Sequence, residues 1–305
     1  MAGPRRAGPL IALAASLVAA GAFAFGLSGN DSGESQARPA TPVQAGAPAA
    51  GAPAPGAPAS ASQAQAPGYP VVVAQVVARY PHDRAAFTEG LIWLNGALYE
   101  SVGREGASDV RRVQLADGKV LARATIPPAQ FGEGLAAWKG ELVSLTWHDA
   151  VAHRWDAATL KHRGTAPFEG EGWGLTTLAT AAGTELVQSD GTPTLRFLDP
   201  ATLKVRRRVT VTVRGRPLKD VNELEAVDGQ LLANIWHTPY LVRIDPASGR
   251  VTGIADLTAI VREVGATDPE AVANGIAWDP KGRRLFVTGK LWPTLYEVRV
   301  DWPRG

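Results

Sequence analysis

Four polar residues occupy equivalent places in short, similar segments of the chain. Glu89 lies in Phe-Thr-Glu-Gly-Leu, Glu133 in Phe-Gly-Glu-Gly-Leu, Glu223 in Val-Asn-Glu-Leu-Glu and Asn274 in Ala-Asn-Gly-Ile-Ala. Carboxyl groups that converge on one place raise each other's pKa and reduce stability. Convergence of three such groups therefore favours acid–base chemistry over simple packing. Any one of them alone could equally serve to hydrogen-bond a neighbouring element.

Aromatic residues and one lysine follow a similar pattern. The chain has nine tryptophans, and Trp147 and Trp236 each end the second hydrophobic run of a unit. Trp173 stands where other units have a glutamate, while Lys290 and Trp292 share the segment Thr-Gly-Lys-Leu-Trp. Each ring alone is typical of a core or rim residue. Several rings directed at one opening would form an apolar pocket with indole N–H donors.

Other chemistries find little support in the sequence. The chain has no cysteine, no Gly-x-Ser-x-Gly segment, no phosphate-binding loop and no dinucleotide fingerprint. The histidines show no metal-ligand spacing; they are His82, His148, His153, His162 and His237. We therefore predict neither a metal nor a cofactor. With 31 basic and 29 acidic residues and no long basic run, the chain is not expected to bind nucleic acid.

Repeats predict the elements that must position these residues. From Pro70 onward, short runs of Val, Leu, Ile, Trp and Thr alternate with glycine turns such as Asn95-Gly96, which is typical of β-hairpins. Helical periodicity is weak and confined to residues 257–264. The equivalent positions are 44, 40, 50 and 51 residues apart; they are Glu89, Glu133, Trp173, Glu223 and Asn274. Such periods are typical of four-stranded propeller blades.

The fifth unit ends near Val300 after only three strands. We predict that Val71–Ala78 supplies the missing strand by pairing with Leu295–Val300, which would leave no open edge. The sequence thus predicts an all-β fold, a five-bladed β-propeller closed by the N-terminal strand in the last blade. The first strands of the blades would then line a central channel, and the four polar residues would meet there.

Residues before the propeller differ in composition. Residues 1–30 combine two early arginines with an apolar run and a small-residue motif, which predicts a signal peptide or an uncleaved signal anchor. Residues 31–69 are rich in Ala, Pro and Gly and predict a disordered tether. Residues 70–305 would form the catalytic domain. We expect an exported monomer, periplasmic or extracellular, and membrane-tethered if the leader is not cleaved.

Nine segments in order resemble the plant-type and bacterial glutaminyl-peptide cyclotransferases, and the resemblance covers about residues 70–300. The segments begin at Phe87, Phe131, Leu145, Gly172, Ser189, Asn222, Asn234, Asn274 and Phe286. The resemblance implies a five-bladed propeller that converts the N-terminal glutamine of peptides or proteins to pyroglutamate and releases ammonia.

The same resemblance implies roles for individual residues. Glu133 would be the general acid and base. The substrate pocket would be formed by Phe87, Glu89, Phe131, Trp147, Trp173, Asn222, Trp236 and Lys290. Plant members carry glutamine at the position of Glu89, so a second carboxyl group is a departure of this chain from the plant pattern. It could bind the substrate ammonium or raise the pKa of Glu133.

Two alternatives stay open at this point. A calcium-dependent lactonase-like propeller would use Glu89 as a metal ligand, and the segments beginning at Asn274 and Leu285 resemble that group. Five units instead of six count against it. A non-catalytic, protein-binding propeller of the cell envelope would require no special sensitivity to substitution of Glu133.

Overall fold

Tight turns divide residues 71–303, the part of the chain that the computed structural model describes, into short antiparallel strands. At the first such hairpin, Asn95 and Gly96 have φ values of 51° and 85°. Positive φ at both central residues defines the type I′ turn, whose twist matches that of the strands it joins. The sequence Asn-Gly is the dipeptide that best tolerates this conformation.

The strands group into five blades. The described chain begins with β1 (Val71–Val73) and β2 (Gln75–Pro81). Blade 1 contains β3 (Thr88–Leu94), β4 (Ala97–Val102), β5 (Asp109–Val113) and β6 (Val120–Thr125). Blade 2 contains β7 (Gly132–Trp138), β8 (Glu141–Thr146), β9 (Val151–Asp156) and β10 (His162–Pro167). Blade 3 contains β11 (Leu175–Thr180), β12 (Gly183–Gln188), β13 (Thr194–Leu198) and β14 (Val205–Thr210).

The remaining elements complete the ring. A small hairpin of β15 (Thr212–Val213) and β16 (Arg216–Pro217) follows blade 3. Blade 4 contains β17 (Val221–Val227), β18 (Gln230–Ile235), β19 (Tyr240–Ile244) and β20 (Val251–Asp256). One helix, α1 (Thr258–Val264), comes next and coincides with the weak helical pattern. Blade 5 contains β21 (Ala273–Asp279), β22 (Arg284–Gly289) and β23 (Thr294–Arg299), with β2 as its outer strand. The predicted five-bladed propeller is confirmed.

Burial follows strand order within each blade. The first strand has five consecutive buried residues in blades 1, 2 and 4, whereas the outer strands β6 and β14 alternate between half-buried and exposed residues. An inner strand is covered on both faces by neighbouring blades, while an outer strand has one face in water. The inner strands are therefore the dry part of the molecule, where polar side chains need partners.

Glycines let the inner strands approach one another closely. A Cβ on Gly134 would lie 2.5 Å from the backbone nitrogen of Leu175, and one on Gly174 would lie 2.2 Å from the backbone oxygen of Asn222. Real Cβ atoms do not make such contacts, so only glycine fits. The Glu-Gly-Leu segments therefore place a glycine where two blades touch and a glutamate beside it.

The N-terminal chain closes the ring, although the prediction for it is correct only in part. Strand β2 pairs antiparallel with β23 from Gln75 to Pro81, as expected for the fourth strand of blade 5. The pairing predicted for residues 71–74 is wrong, because Val71–Val73 pairs in parallel with β20 of blade 4. The outer edge of β20 offers free backbone groups, and the chain passes at Ala74 from blade 4 to blade 5.

The predicted leader, residues 1–30, and the predicted tether, residues 31–69, lie outside the described residues. Among residues 71–303, no helix is long and apolar enough to cross a membrane.

Removing β2 should destabilise the propeller far more than removing β1 alone. A chain beginning at His82 loses the whole outer strand of blade 5, including the contact between Tyr80 and Phe286. We expect its Tm to fall by more than ~10 °C, since 1 kcal/mol corresponds to roughly 2–4 °C in a domain of this size. A chain beginning at Gln75 loses only the three-residue edge strand and should lose less than half as much. Equal Tm values for the two truncations, measured by circular dichroism, would disprove closure through β2.

Candidate active site

The predicted polar residues meet at one end of the propeller. Glu89, Glu133 and Asn274 are each the second residue of a first strand, and Glu223 is the third residue of β17. All four are at least 94% buried. Trp173 departs from the prediction: it does not belong to a first strand but lies in the loop before β11.

The aromatic residues and Lys290 lie at the same end. In an antiparallel hairpin the start of the first strand is paired with the end of the second, as Gly132 is with Thr146 in blade 2. Residues just before a first strand or just after a second strand therefore share one edge of the ring. Those before a first strand are Phe87, Phe131 and Trp173, and those after a second strand are Trp147, Trp236 and Lys290.

A buried ion pair joins the first and last blades. The ammonium nitrogen of Lys290 lies 2.7 Å from Oε1 of Glu89, and Asn274 donates a hydrogen bond of 3.1 Å to Oε2 of the same carboxylate. The Lys290 ammonium also lies 4.6 Å from the ring centroid of Phe87. Glu89 and Lys290 are both buried, with less than a tenth of the surface of each residue exposed to solvent. The low dielectric of the interior strengthens the attraction between the two charges. It also means that loss of either charge would leave the other buried without a partner, which is strongly unfavourable.

Glu133 is the carboxyl group that this pair leaves without a counter-charge of its own. Burial raises the pKa of Glu133 well above its usual value, the negative charge of Glu89 raises it further, and Lys290 opposes the shift. No group among residues 71–303 donates a hydrogen bond to its carboxyl oxygens. Burial also raises the pKa of Glu89, to about 7, with Lys290 opposing. The proton is therefore held first by Glu133, which can act as an acid at neutral pH.

Glu223 has a different role from Glu133. Its Oε2 accepts a hydrogen bond of 2.9 Å from the backbone N–H of Ile276 in blade 5, and its Oε1 accepts one of 3.3 Å from Leu91 in blade 1. Glu225 links blades in the same manner through Trp278 and Thr176. Both carboxyl groups satisfy backbone donors at the channel, so the hydrogen-bonding interpretation is the correct one for Glu223.

Two groups of rings form the wall of the pocket. Phe131 contacts Phe87 and Trp147 edge to face, with centroid distances of 6.1 and 5.7 Å. Trp173 contacts Trp236 in the same manner at 5.5 Å. Edge-to-face contacts fix the relative orientation of rings as well as burying them. The rings lie at the end of the channel where Glu133 lies, since Phe131 directly precedes the first strand that carries Glu133.

Glu171 joins the two groups of rings and was missed in the sequence. Its Oε2 accepts hydrogen bonds from the indole nitrogens of Trp147, at 3.0 Å, and of Trp173, at 3.2 Å. The only signal in the sequence is an acidic residue two positions before Trp173, which is too common to notice. Its significance depends on the position of Trp147, 24 residues away.

Two buried asparagines have side-chain oxygens that accept no hydrogen bond from the described residues. Oδ1 of Asn222 and Oδ1 of Asn274 have no hydrogen-bond partner in the described part of the chain, although both residues are nearly inaccessible. An unsatisfied buried polar atom costs about 1–3 kcal/mol, so natural proteins retain few of them without a purpose. The expected role of Asn222 in binding a polar group is compatible with this geometry.

A second buried network, also missed in the sequence, holds the loop that carries Lys290. Nε2 of His82 lies 3.0 Å from a Glu100 oxygen that also accepts a hydrogen bond from Thr88, and Nδ1 of His82 donates to the backbone oxygen of Trp292 at 2.7 Å. Both ring nitrogens face acceptors, so both carry protons. Burial disfavours this charge, but Glu100 and the Trp292 carbonyl outweigh it and raise the pKa of His82.

The stabilising effect of charged His82 should disappear at alkaline pH. A raised folded-state pKa means that the contribution is complete below the ordinary value of about 6.5 and is lost as pH rises through the folded-state pKa. We expect the difference in free energy of unfolding between wild type and His82→Asn, measured with urea, to shrink as pH rises above 7. A difference that stays constant or grows would contradict a charged His82.

The fold and the site together define a class: a five-bladed propeller with a buried acid beside an aromatic pocket at one end of its channel. A model of the glutamine cyclotransferase family matches residues 51–300. The chain is 39% identical over 232 residues to the Arabidopsis thaliana glutaminyl-peptide cyclotransferase, which covers 74% of this chain and 71% of that protein. The crystal structure of Myxococcus xanthus glutaminyl cyclase matches with a TM-score of 0.72 and 38% identity, over 77% of this chain and 100% of that one.

This chain therefore belongs to the glutamine cyclotransferase family.

Proposed function

We propose that the chain is a glutaminyl-peptide cyclotransferase that converts the N-terminal glutamine of peptides or proteins to pyroglutamate and releases ammonia. Family membership and the similarity to two enzymes named for this activity support the reaction. The observation that carries the mechanism is the buried Glu133 carboxyl group, whose pKa is raised well above its usual value beside an aromatic pocket.

Proton balance assigns both halves of the chemistry to one residue. The α-amine attacks the γ-carboxamide carbon, so a C–N bond forms within the substrate and the bond to the amide nitrogen breaks. The attacking nitrogen must lose one proton and the departing nitrogen must gain one. Glu133 starts protonated, gives its proton to the leaving nitrogen and receives one from the attacking nitrogen, so it ends in its initial state.

The raised pKa of Glu133 suits this exchange. An α-amino group has a pKa of about 7.7–8.0 and must be neutral to attack. A carboxyl group with an ordinary pKa would be ionised at neutral pH and would stabilise the ammonium instead. Burial brings the acid closer in strength to the amine, so the proton moves between them at little cost.

The pocket supplies position and polarisation. Attack within one molecule needs a folded conformer of the glutamine side chain, and holding it there can account for much of the rate enhancement. In this proposal the rings of Phe87, Phe131 and Trp236 enclose the side chain. Asn222 and Lys290 are assigned to the substrate's amide groups, where charge develops on oxygen during attack.

The contacts of Glu89 argue against the calcium alternative. Its two oxygens are bound to the ammonium of Lys290 and the amide of Asn274. A cation bound to this carboxylate would lie close to the Lys290 ammonium, which is itself 2.7 Å from Oε1, and like charges so close together repel.

The activity can be tested directly by mass spectrometry. A peptide beginning with glutamine should lose one ammonia when incubated with the purified chain, and the same peptide with an acetylated amine should not. Loss from neither peptide would favour the non-catalytic, protein-binding propeller. A small mass gain in both peptides, from replacement of ammonia by water, would indicate amide hydrolysis in place of cyclisation, because an acetylated amine cannot attack.

Glu133→Gln should abolish most of the activity without unfolding the protein. The substitution is nearly isosteric and removes only proton transfer, which is typically worth about 10²–10⁴-fold. We expect kcat to fall at least ~100-fold, with little change in KM or Tm, in a continuous assay of ammonia release.

Glu89→Gln is the matched control for this substitution. It removes the other carboxyl group and restores the residue that plant members carry, so substantial activity should remain. If Glu89→Gln is inactive while Glu133→Gln cyclises peptides at the wild-type rate, the catalytic carboxyl group has been misassigned.

Removal of metal ions should leave the reaction intact. Among residues 71–303 no three His, Cys, Asp or Glu side chains are grouped so that they could hold an ion. The proposed proton transfers need none. After prolonged dialysis against a strong chelator, kcat/KM should equal that of the untreated enzyme; a loss that zinc or calcium reverses would require a metal-assisted step.

A further inference from the structure

Glu171 has more contacts with the pocket wall than its place in an exposed loop would suggest. One of its oxygens, Oε2, accepts hydrogen bonds from the indoles of both Trp147 and Trp173. The other, Oε1, lies 3.5 Å from Nδ1 of His148. The ring of His148 in turn stacks on Trp147 with a centroid distance of 3.7 Å.

The loop that carries Glu171 is itself held in place. Gln188, a fully buried residue of β12, donates hydrogen bonds to the backbone oxygens of Glu169, at 3.1 Å, and Glu171, at 2.7 Å. These bonds fix the backbone of residues 169–171 against blade 3. The carboxylate of Glu171 therefore starts from a fixed backbone position, although 46% of its side-chain surface is exposed.

Each of the two indoles donates its N–H to Glu171, in addition to its contacts with other rings. Trp147 is 37% exposed and has one packing contact with the pocket, the edge-to-face contact with Phe131. Trp173 packs against Trp236 on the other side. Among the described contacts, the shared acceptor is the only polar link between these two groups of rings. Without it, Trp147 could rotate into solvent and the wall would open.

We propose that Glu171 is a positioning residue for the cyclisation reaction: it holds the indoles of Trp147 and Trp173 in place as the wall against which the glutamine side chain is bound. The inference rests on the proposed function. Glu171 acts through the indoles and need not contact the reacting atoms. Its effect belongs to substrate binding, so it should be seen in KM more than in kcat.

The charge of Glu171 has a second, separable effect. The charged and titratable groups that act on Glu133 are Glu89, Lys290 and Glu171, and the negative charge of Glu171 contributes to the raised pKa of Glu133. Removing that charge lowers the pKa of Glu133. Glu133 would then lose its proton at a lower pH, and the alkaline limb of the pH profile of kcat would move to lower pH.

Two substitutions at one position distinguish acceptor from charge. Glu171→Ala removes both, and we expect KM for a Gln-initiated peptide to rise about tenfold, the equivalent of ~1.4 kcal/mol, with kcat at its optimum within ~3-fold of wild type. Glu171→Gln keeps an oxygen that can accept both indole N–H groups, so KM should return to near the wild-type value. Both variants should shift the alkaline limb of kcat to lower pH.

Glu169→Gln is the matched control. This neighbouring carboxylate binds Arg208 and touches no ring of the pocket, so its substitution should leave KM and the pH profile unchanged. Unchanged KM in Glu171→Ala would overturn the positioning role, as would a KM in Glu171→Gln as high as in Glu171→Ala. Absence of turnover by the wild type would instead overturn the proposed function itself.

Discussion

Everything at the end of the channel depends on how two buried carboxyl groups share one ammonium. Burying an ionised carboxylate in low dielectric is strongly unfavourable unless a counter-charge and hydrogen bonds accompany it. Glu89 has both, from Lys290 and Asn274. Glu133 has neither, so it keeps its proton, and a protonated carboxyl group beside an aromatic pocket is what the proposed chemistry requires. Burial is the largest cause of the raised pKa of Glu133 and the charge of Glu89 adds to it, so Glu133 is expected to remain an acid when Glu89 is replaced.

The architecture creates the pairing of Glu89 with Lys290 by closing the ring. Glu89 belongs to the first blade and Lys290 to the last, 201 residues apart in the chain. They meet because β2 completes blade 5 immediately before the chain enters blade 1. His82, in the connection between the two blades, fixes the loop of Lys290 through the backbone oxygen of Trp292. Ring closure is therefore both the source of stability and the device that assembles the site.

Much of this organisation could be predicted from the sequence, for identifiable reasons. Equivalent segments at regular spacing predict blades, and blades force Glu89 and Glu133 towards one axis whatever the details of packing. The roles within that group could not be predicted, because the repeats align Glu223 with Glu133, whereas Glu223 is the third residue of its strand and Glu133 the second. Only the structure shows that blades 1 and 5 bring backbone donors to Glu223. The same limit applies to Glu171, whose two indole partners come from different blades. The prediction for residues 71–73 was wrong because the sequence of a short apolar strand does not specify which free sheet edge the strand joins.

The most direct test of this account is the protonation state of Glu133 in the resting protein. Infrared difference spectroscopy at pH 7 can compare the wild type with Glu133→Gln and with Glu89→Gln, because the pKa of Glu89 is itself raised to about 7. Glu223 and Glu225, whose pKa values are also raised by burial, are present in all three samples. The account predicts a carbonyl stretching band of a protonated carboxylic acid that is present in the wild type and in Glu89→Gln and missing from Glu133→Gln. A difference spectrum with only carboxylate bands would show that Glu133 is ionised, and would contradict the central claim.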